Sequence, residues 1–325
     1  MENLFEKISK RITSIKSRMP DKINNSLNSI PIEFNLNNFK KIKLSNQRIS
    51  FIDGGNIEIA GNDSFTFQLM RTFWVTFEED KKIMQEKKDY FILILNKKIE
   101  IYNENEKLIE EIATTGEKIE SDINDIRRKY ELECINSIKK RDDKTIIILD
   151  GALPTPKNKE QNLIKNYSYY CKKSENQDKN NTNNNPEDNQ LIIASIAKTC
   201  SLKTDNNSNL VGYVHSISPK GKWNYYPLWT NSNKCIAKLH DNSNYAFLID
   251  INNFTQINKV VSILASNSMD PSFLGYPYGL TFADKMARCT KEEQSYLQER
   301  FFKSNNLLKK LINTNNAHTV LDTIK

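Results

Sequence analysis

The run Thr145-Ile146-Ile147-Ile148-Leu149 constrains this chain more than any other stretch of its 325 residues. Consecutive apolar positions, three of them isoleucine, cannot alternate between core and solvent, so the strand they form is buried on both faces. A strand covered above and below requires a layer on each side of its sheet, which makes the chain a mixed α/β protein. The run ends in Asp150-Gly151, and a second apolar run, Arg48-Ile49-Ser50-Phe51-Ile52, ends the same way in Asp53-Gly54-Gly55.

Other elements are expected around these two runs. Residues 64–77, rich in Phe, Thr, Val and Trp, and residues 90–102 read as strands of an antiparallel meander. Residues 107–140 read as a long helix with Ile119, Ile123, Ile126 and Tyr130 along one face. Further strands are expected at 191–197, 210–217 and 245–251. A terminal helix is expected over 291–312, its start marked by the capping-box spacing of Thr290 and Glu293. Residues 1–19 set Leu4, Phe5, Ile8, Ile12 and Ile15 at helical spacing among Lys and Arg, the pattern of an amphipathic helix. Residues 172–190 hold nothing that can join a core and read as a disordered, Asn-rich insertion.

Composition removes several classes. No window approaches the roughly 18 apolar residues of a membrane span, so no membrane association is expected. The cysteines, Cys134, Cys171, Cys200, Cys235 and Cys289, are odd in number and never form C-x-x-C, which excludes a disulfide scaffold and a cysteine zinc site. The N-terminus lacks an apolar signal region, so a cytoplasmic location is expected. There is no G-x-x-x-x-G-K-[ST], so the chain is not itself a P-loop ATPase. Lys and Arg number 47 against 40 Asp and Glu, a net charge of +7 that suits a polyanionic partner.

Two carboxylates at the ends of apolar strands carry the chemistry. If the strands are neighbours, Asp53 and Asp150 converge, and both stay ionised only beside a compensating cation. Oxygen-only donors favour Mg²⁺ or Mn²⁺ over zinc. Each Asp-Gly taken alone reads first as a simple turn; the pair in this setting points instead to a metal. The helix offers a third ligand in Glu131, one turn from Arg127, Arg128 and Cys134, or in Glu133, on the opposite flank of its apolar stripe. Either can point inward, and Glu131 is the preferred one. Lys198, just beyond an apolar run, can hold a phosphate as a point charge or simply reach solvent. Trp223, Tyr225, Tyr226 and Trp229 beside Lys220 and Lys222 fit base stacking, and fit a core or subunit interface better. Of the histidines, His215 reads as core and His240 and His318 as surface, and none has zinc spacing.

Several of these segments, in this order, resemble the NurA nuclease domain. They are Phe51-Ile52-Asp53-Gly54-Gly55, the Arg-rich helix with Glu131, Ile148-Leu149-Asp150-Gly151-Ala152-Leu153, Ile193-Ala194-Ser195-Ile196-Ala197-Lys198, and Gly275-Tyr276-Pro277-Tyr278-Gly279-Leu280-Thr281-Phe282-Ala283-Asp284. The resemblance runs from about residue 48 to 290. It implies an RNase-H-like mixed sheet flanked by helices, with the N-terminal amphipathic helix and C-terminal helical segment added. The domain would cover 46–313, between an extension over 1–45 and a tail over 314–325. The implied activity is divalent-metal-dependent cleavage of single-stranded or duplex DNA ends with Mn²⁺ (or Mg²⁺), by a homodimer working beside a HerA-type hexameric ATPase. Asp53, Glu131 and Asp150 fall on the family's metal ligands and Tyr276 on its C-terminal motif. Asp284 stands where the family usually has histidine; a carboxylate is also a competent hard ligand, and Thr281 with Asp284 equally fits a capping box. Two rivals remain. One is a catalytically inactive NurA-like scaffold subunit. The other is an actin-like nucleotide binder, ranked low because only nine glycines are available for phosphate loops.

Overall fold

The computed structural model describes residues 4, 6–9, 22–24, 32–62, 64–113, 119–142, 145–153, 191–229 and 232–303. In chain order the strands are β1 (Lys22–Asn24), β2 (Ile32–Glu33), β3 (Phe39–Lys41), β4 (Ile49–Asn62), β5 (Phe65–Glu78), β6 (Lys81–Leu95), β7 (Lys98–Asn103) and β8 (Leu108–Ala113). Helix α1 (Ile119–Arg141) precedes β9 (Ile146–Asp150), β10 (Ile193–Ala197), β11 (Lys203–Thr204) and helix α2 (Leu210–Ser216). The remainder is β12 (Trp223–Tyr225), β13 (Lys234–Lys238), β14 (Phe247–Ile251), α3 (Ile257–Ser266), α4 (Tyr278–Ala287) and α5 (Lys291–Lys303). The architecture is mixed α/β, as the doubly buried run requires.

The chain divides into two compact units, the first comprising Met1–Asn46, Asp150–Leu153 and Ile192–Tyr278, the second Gln47–Leu149, Pro154–Leu191 and Gly279–Lys325. In the second unit the strand order is β9-β4-β5-β6-β7-β8, with β9 parallel to β4 and the other pairs antiparallel. Alternation along β5 sorts its two faces. Met70 packs with Ile123, Ile126 and Tyr130 of α1, whereas Leu69 packs towards Leu297 and Phe301 of α5, and Phe73 meets Phe282 of α4. In the first unit β3-β12-β13-β14-β10 are antiparallel throughout. One face is closed by Leu210 and Val214 of α2 over Trp223, Tyr225 and Ile236; on the other, Asn224 donates to Asn258 of α3.

Several expectations fail for identifiable reasons. Residues 90–102 are two strands, because Asn96 and Lys97 take φ of 51° and 62° in a two-residue hairpin turn. Residues 108–113, expected at the start of a helix, form β8; pairing with β7 overrides the helical preference of Leu, Glu and Ala. Residues 210–216 are helical rather than extended. Asn209 caps them, its side chain accepting from the Gly212 N–H at 2.9 Å, and this start signal outweighs the β-preference of Val211, Tyr213 and Val214. Strands β12 and β13 and helix α3 carry no sequence expectation. The Thr290 capping box is present: Thr290 N–H donates to Glu293 at 3.0 Å and Glu293 N–H to the Thr290 hydroxyl at 3.2 Å. The insertion over 172–190, most of the N-terminal segment and the last part of the terminal helix lie outside the described residues.

Candidate active site

Asp53 is not at a strand end. Strand β4 continues nine residues past it, and Asp53 pairs with Phe73 and Gly54 with Thr72 in an antiparallel ladder that keeps its register as far as Glu58. The expectation that Gly54 turns the chain is therefore wrong; its missing side chain serves close approach instead. A Cβ on Gly54 would lie 2.6 Å from Glu131 Oε1 and 3.1 Å from Arg127 Cγ, so α1 seats its glutamate directly on the strand. There Arg128 Nη1 holds Glu131 Oε2 at 2.8 Å, and Arg127 Nε stands 3.6 Å from Oε1. Asp53 and Glu131 are both buried, but successive strand residues face opposite ways. Gly54 belongs to the α1 face, while Asp53 shares the face of Phe73 and hence of α4.

Glu133, the alternative on the helix, lines a separate polar cleft of about 240 Å³ with Lys88, Tyr90, Tyr130, Cys134, Asn136 and Ser137. Burial first, with the charge of Glu110, pushes its carboxyl up, against the pull of Lys129 and Lys88. Of the two glutamates, Glu131 is the one that abuts the Asp53-Gly54 segment.

In the first unit, three expected residues meet. Asp150 Oδ2 is 2.8 Å from Lys198 Nζ, and Asp150 Oδ1 accepts from the Tyr276 hydroxyl at 3.1 Å and from the Gly151 N–H at 3.0 Å. Lys198 Nζ also stands 5.2 Å from the Tyr276 ring centroid, a cation–π distance. Gly151 makes the turn expected of it, with φ of +85° and open space where a Cβ would be. Its N–H also donates to Ile196 O at 2.9 Å, fixing the carboxylate beside β10.

Asp284 sits inside α4, not at its start, because the helix already begins at Tyr278. The capping reading is thereby overturned; Asp284 instead pairs with Arg288 Nη2 at 2.7 Å. Sequence reasoning passed over the arginine clamp on Glu131, although the spacing of Arg127 and Arg128 from Glu131 was its signal. Trp223 and Tyr225 are each 1% exposed and belong to the core, so neither can stack on a base. His215, expected in the core, is half-buried at the end of α2, where burial and then the charge of Lys238 lower its proton affinity.

Chemically, carboxylate oxygens are donors that suit a hard divalent ion, and a tyrosine hydroxyl and a lysine stand beside that of Asp150. Among the described residues no group of three or more His, Cys, Asp or Glu side chains is gathered closely enough to hold one. The described residues also contain no helix long and apolar enough to cross a membrane.

No protein-family model matches the sequence, and no curated protein matches it. Among solved structures, the chain is similar to the NurA nuclease from Sulfolobus solfataricus, with 11% identity and a TM-score of 0.53 over 94% of this chain and 97% of that one. It is similar to a structure of NurA with manganese at 11% identity and a TM-score of 0.52, over 93% and 98% of the two chains. At that identity the likeness is one of fold. The chain has a NurA-like fold.

Proposed function

We propose that the chain is a divalent-metal-dependent DNA nuclease that processes single-stranded or duplex ends. The observation that carries this reading is the register of β4 and β9. Ile52 lies opposite Leu149 in a parallel pair, and the next residue of each strand is the carboxylate, Asp53 in one and Asp150 in the other. Each of these paired strands thus leads straight into a carboxylate, the donor type that a hard divalent ion takes. Glu131 is kept as the third candidate ligand on the strength of the motif resemblance, although its seat on Gly54 puts it on the α1 face, opposite to Asp53. Asp284 is proposed as a supporting carboxylate because α4 overlies the face that Asp53 shares.

When bound, Mn²⁺ or Mg²⁺ supplies a Lewis acid and lowers the pKa of the attacking water. The chain's own residues do the rest. Asp53 and Asp150 hold the charge in place. The Tyr276 hydroxyl, donating to Asp150 Oδ1, fixes that carboxylate's orientation. Lys198 neutralises Asp150 in the free protein and is placed to take a phosphate oxygen when the carboxylate's charge is met by a cation. The manganese in one similar NurA structure supports the choice of ion. Work beside a HerA-type ATPase, as a homodimer in end resection, completes the proposal on the strength of the motif resemblance.

Cleavage of end-labelled DNA with Mn²⁺, Mg²⁺ or EDTA tests the reading. Metal-dependent cleavage by the wild type is expected to disappear in Asp53→Ala and in Asp150→Ala, with folding unchanged by circular dichroism. Full activity in either variant removes that residue from the metal set. A second reading, an inactive NurA-like scaffold, draws on the lack of a three-acid group among the described residues. A Mn²⁺ titration that shows no carboxylate-dependent binding would favour it.

A further inference from the structure

The end of the first unit's sheet that carries Asp150 also carries charge which the reaction leaves unused. Antiparallel registers bring alternate strand termini to that end. Leu248 pairs with Ala197, just before Lys198; Phe247 pairs with Ala237, just before Lys238; and Trp223 pairs with both Lys238 and Lys41. Directly opposed residues of antiparallel strands share a face, so Lys41, Trp223 and Lys238 form one row. Four inter-strand steps of about 4.8 Å separate β10 from β3, a span of about 19 Å, close to the rise of five or six nucleotides in a duplex strand.

The row holds more positive charge than its surroundings balance. Lys222 is taken by Asp241 at 3.2 Å. Among the described residues neither Lys41 nor Lys238 has a carboxylate partner. Lys220 adds a further exposed ammonium just before β12. Between the two lysines Trp223 is buried under α2, so at this end of the sheet the ammoniums are the groups left to meet a ligand. Like charges aligned without acids raise the energy of the free protein and are relieved by a polyanion.

We propose that the Lys41 and Lys238 ammoniums, which flank the buried Trp223 and are extended by Lys220, are a track for the sugar–phosphate backbone of the DNA strand whose scissile phosphate lies at Asp150. The inference rests on the nuclease reading and adds to it where the strand runs. Lysines on phosphates position a strand without reading its sequence, so binding here is indifferent to base identity.

The test is fluorescence anisotropy of a labelled oligothymidine over a salt series, with EDTA present and the full chain used. Lys41→Glu with Lys238→Glu is compared with Lys98→Glu with Lys303→Glu, which make the same charge change at exposed positions of the second unit. The first pair is expected to weaken binding on the order of tenfold and to flatten the salt slope by about 1.4, from two lost contacts of about 0.7 each. The control pair is expected to keep the wild-type slope. Lys41→Gln with Lys238→Gln, checked by thermal melting, should flatten the slope equally and guards against a folding defect. Unchanged binding in the first pair, or equal losses in both, overturns the track. Row-dependent binding by a wild type that cleaves nothing with Mn²⁺ would sink the nuclease reading and leave the track; cleavage with row-independent binding sinks the track alone.

Discussion

Gly54 is where a single atom decides the site. Its φ is not in the left-handed region, so alanine fits the backbone there, and the main cost is the overlap with Glu131 Oε1 at 2.6 Å, with Arg127 Cγ and Glu131 Cγ each at 3.1 Å. Because that oxygen ends a flexible side chain, Gly54→Ala should cost about 1 kcal/mol in urea unfolding, the low end for overpacking. It should depress Mn²⁺-dependent cleavage as Glu131→Gln does; a fully active Gly54→Ala would show that the reaction does not need Glu131 where it sits. Lys198 offers the opposite contrast. Its pair with Asp150 is 46% and 22% exposed, so Lys198→Ala should change stability by less than about 1 kcal/mol while cleavage falls. A melting curve beside a cleavage assay separates those two effects.

Between elements, the strongest tie in the second unit is Arg71. It is buried on β5 and binds Asp89 of β6 through Nε at 2.6 Å and Nη2 at 2.9 Å, and Glu293 of α5 through Nη2 at 2.9 Å and Nη1 at 3.1 Å. Arg71→Met should cost on the order of 3 kcal/mol, because two carboxylates lose their partner, and proteolysis should then begin near α5. The Arg71 guanidinium holds the Glu293 carboxyl below its usual value of 4.5. A depressed pKa contributes stability above the unfolded value that is lost as pH falls through the folded one. The stability gap between wild type and Glu293→Gln should therefore be present at neutral pH and close below about pH 4.5. The start of α5 was legible in advance, since Thr290 and Glu293 cap it within four residues. Helix α2 was not, because its cap is the single Asn209 and its body is Val-rich. Strand β8 was not, because only pairing with β7 makes Leu108–Ala113 extended.

For the molecule as a whole, the order of segments was readable because buried strands and Asp-Gly pairs are local signals. The division into units was not, since Asp150–Leu153 clusters with residues far along the chain. The candidate site shows the same split: Asp150, Lys198 and Tyr276 were named from sequence and meet, while the opposite facing of Asp53 and Glu131 depends on a strand that runs on. A ligand that binds only the folded state stabilises it, so saturating Mn²⁺ should raise the melting temperature of the wild type and not of Asp150→Ala. An equal rise in both would place the ion elsewhere. The length of β4 past Asp53 has a last consequence, one of counting. Removing one residue between Ile49 and Asp53 inverts the side to which the carboxylate points, and removing two restores it. Past Glu58 the ladder already absorbs an irregularity. Before the aspartate, then, this strand keeps its carboxylate on the same side only if its length changes in even steps.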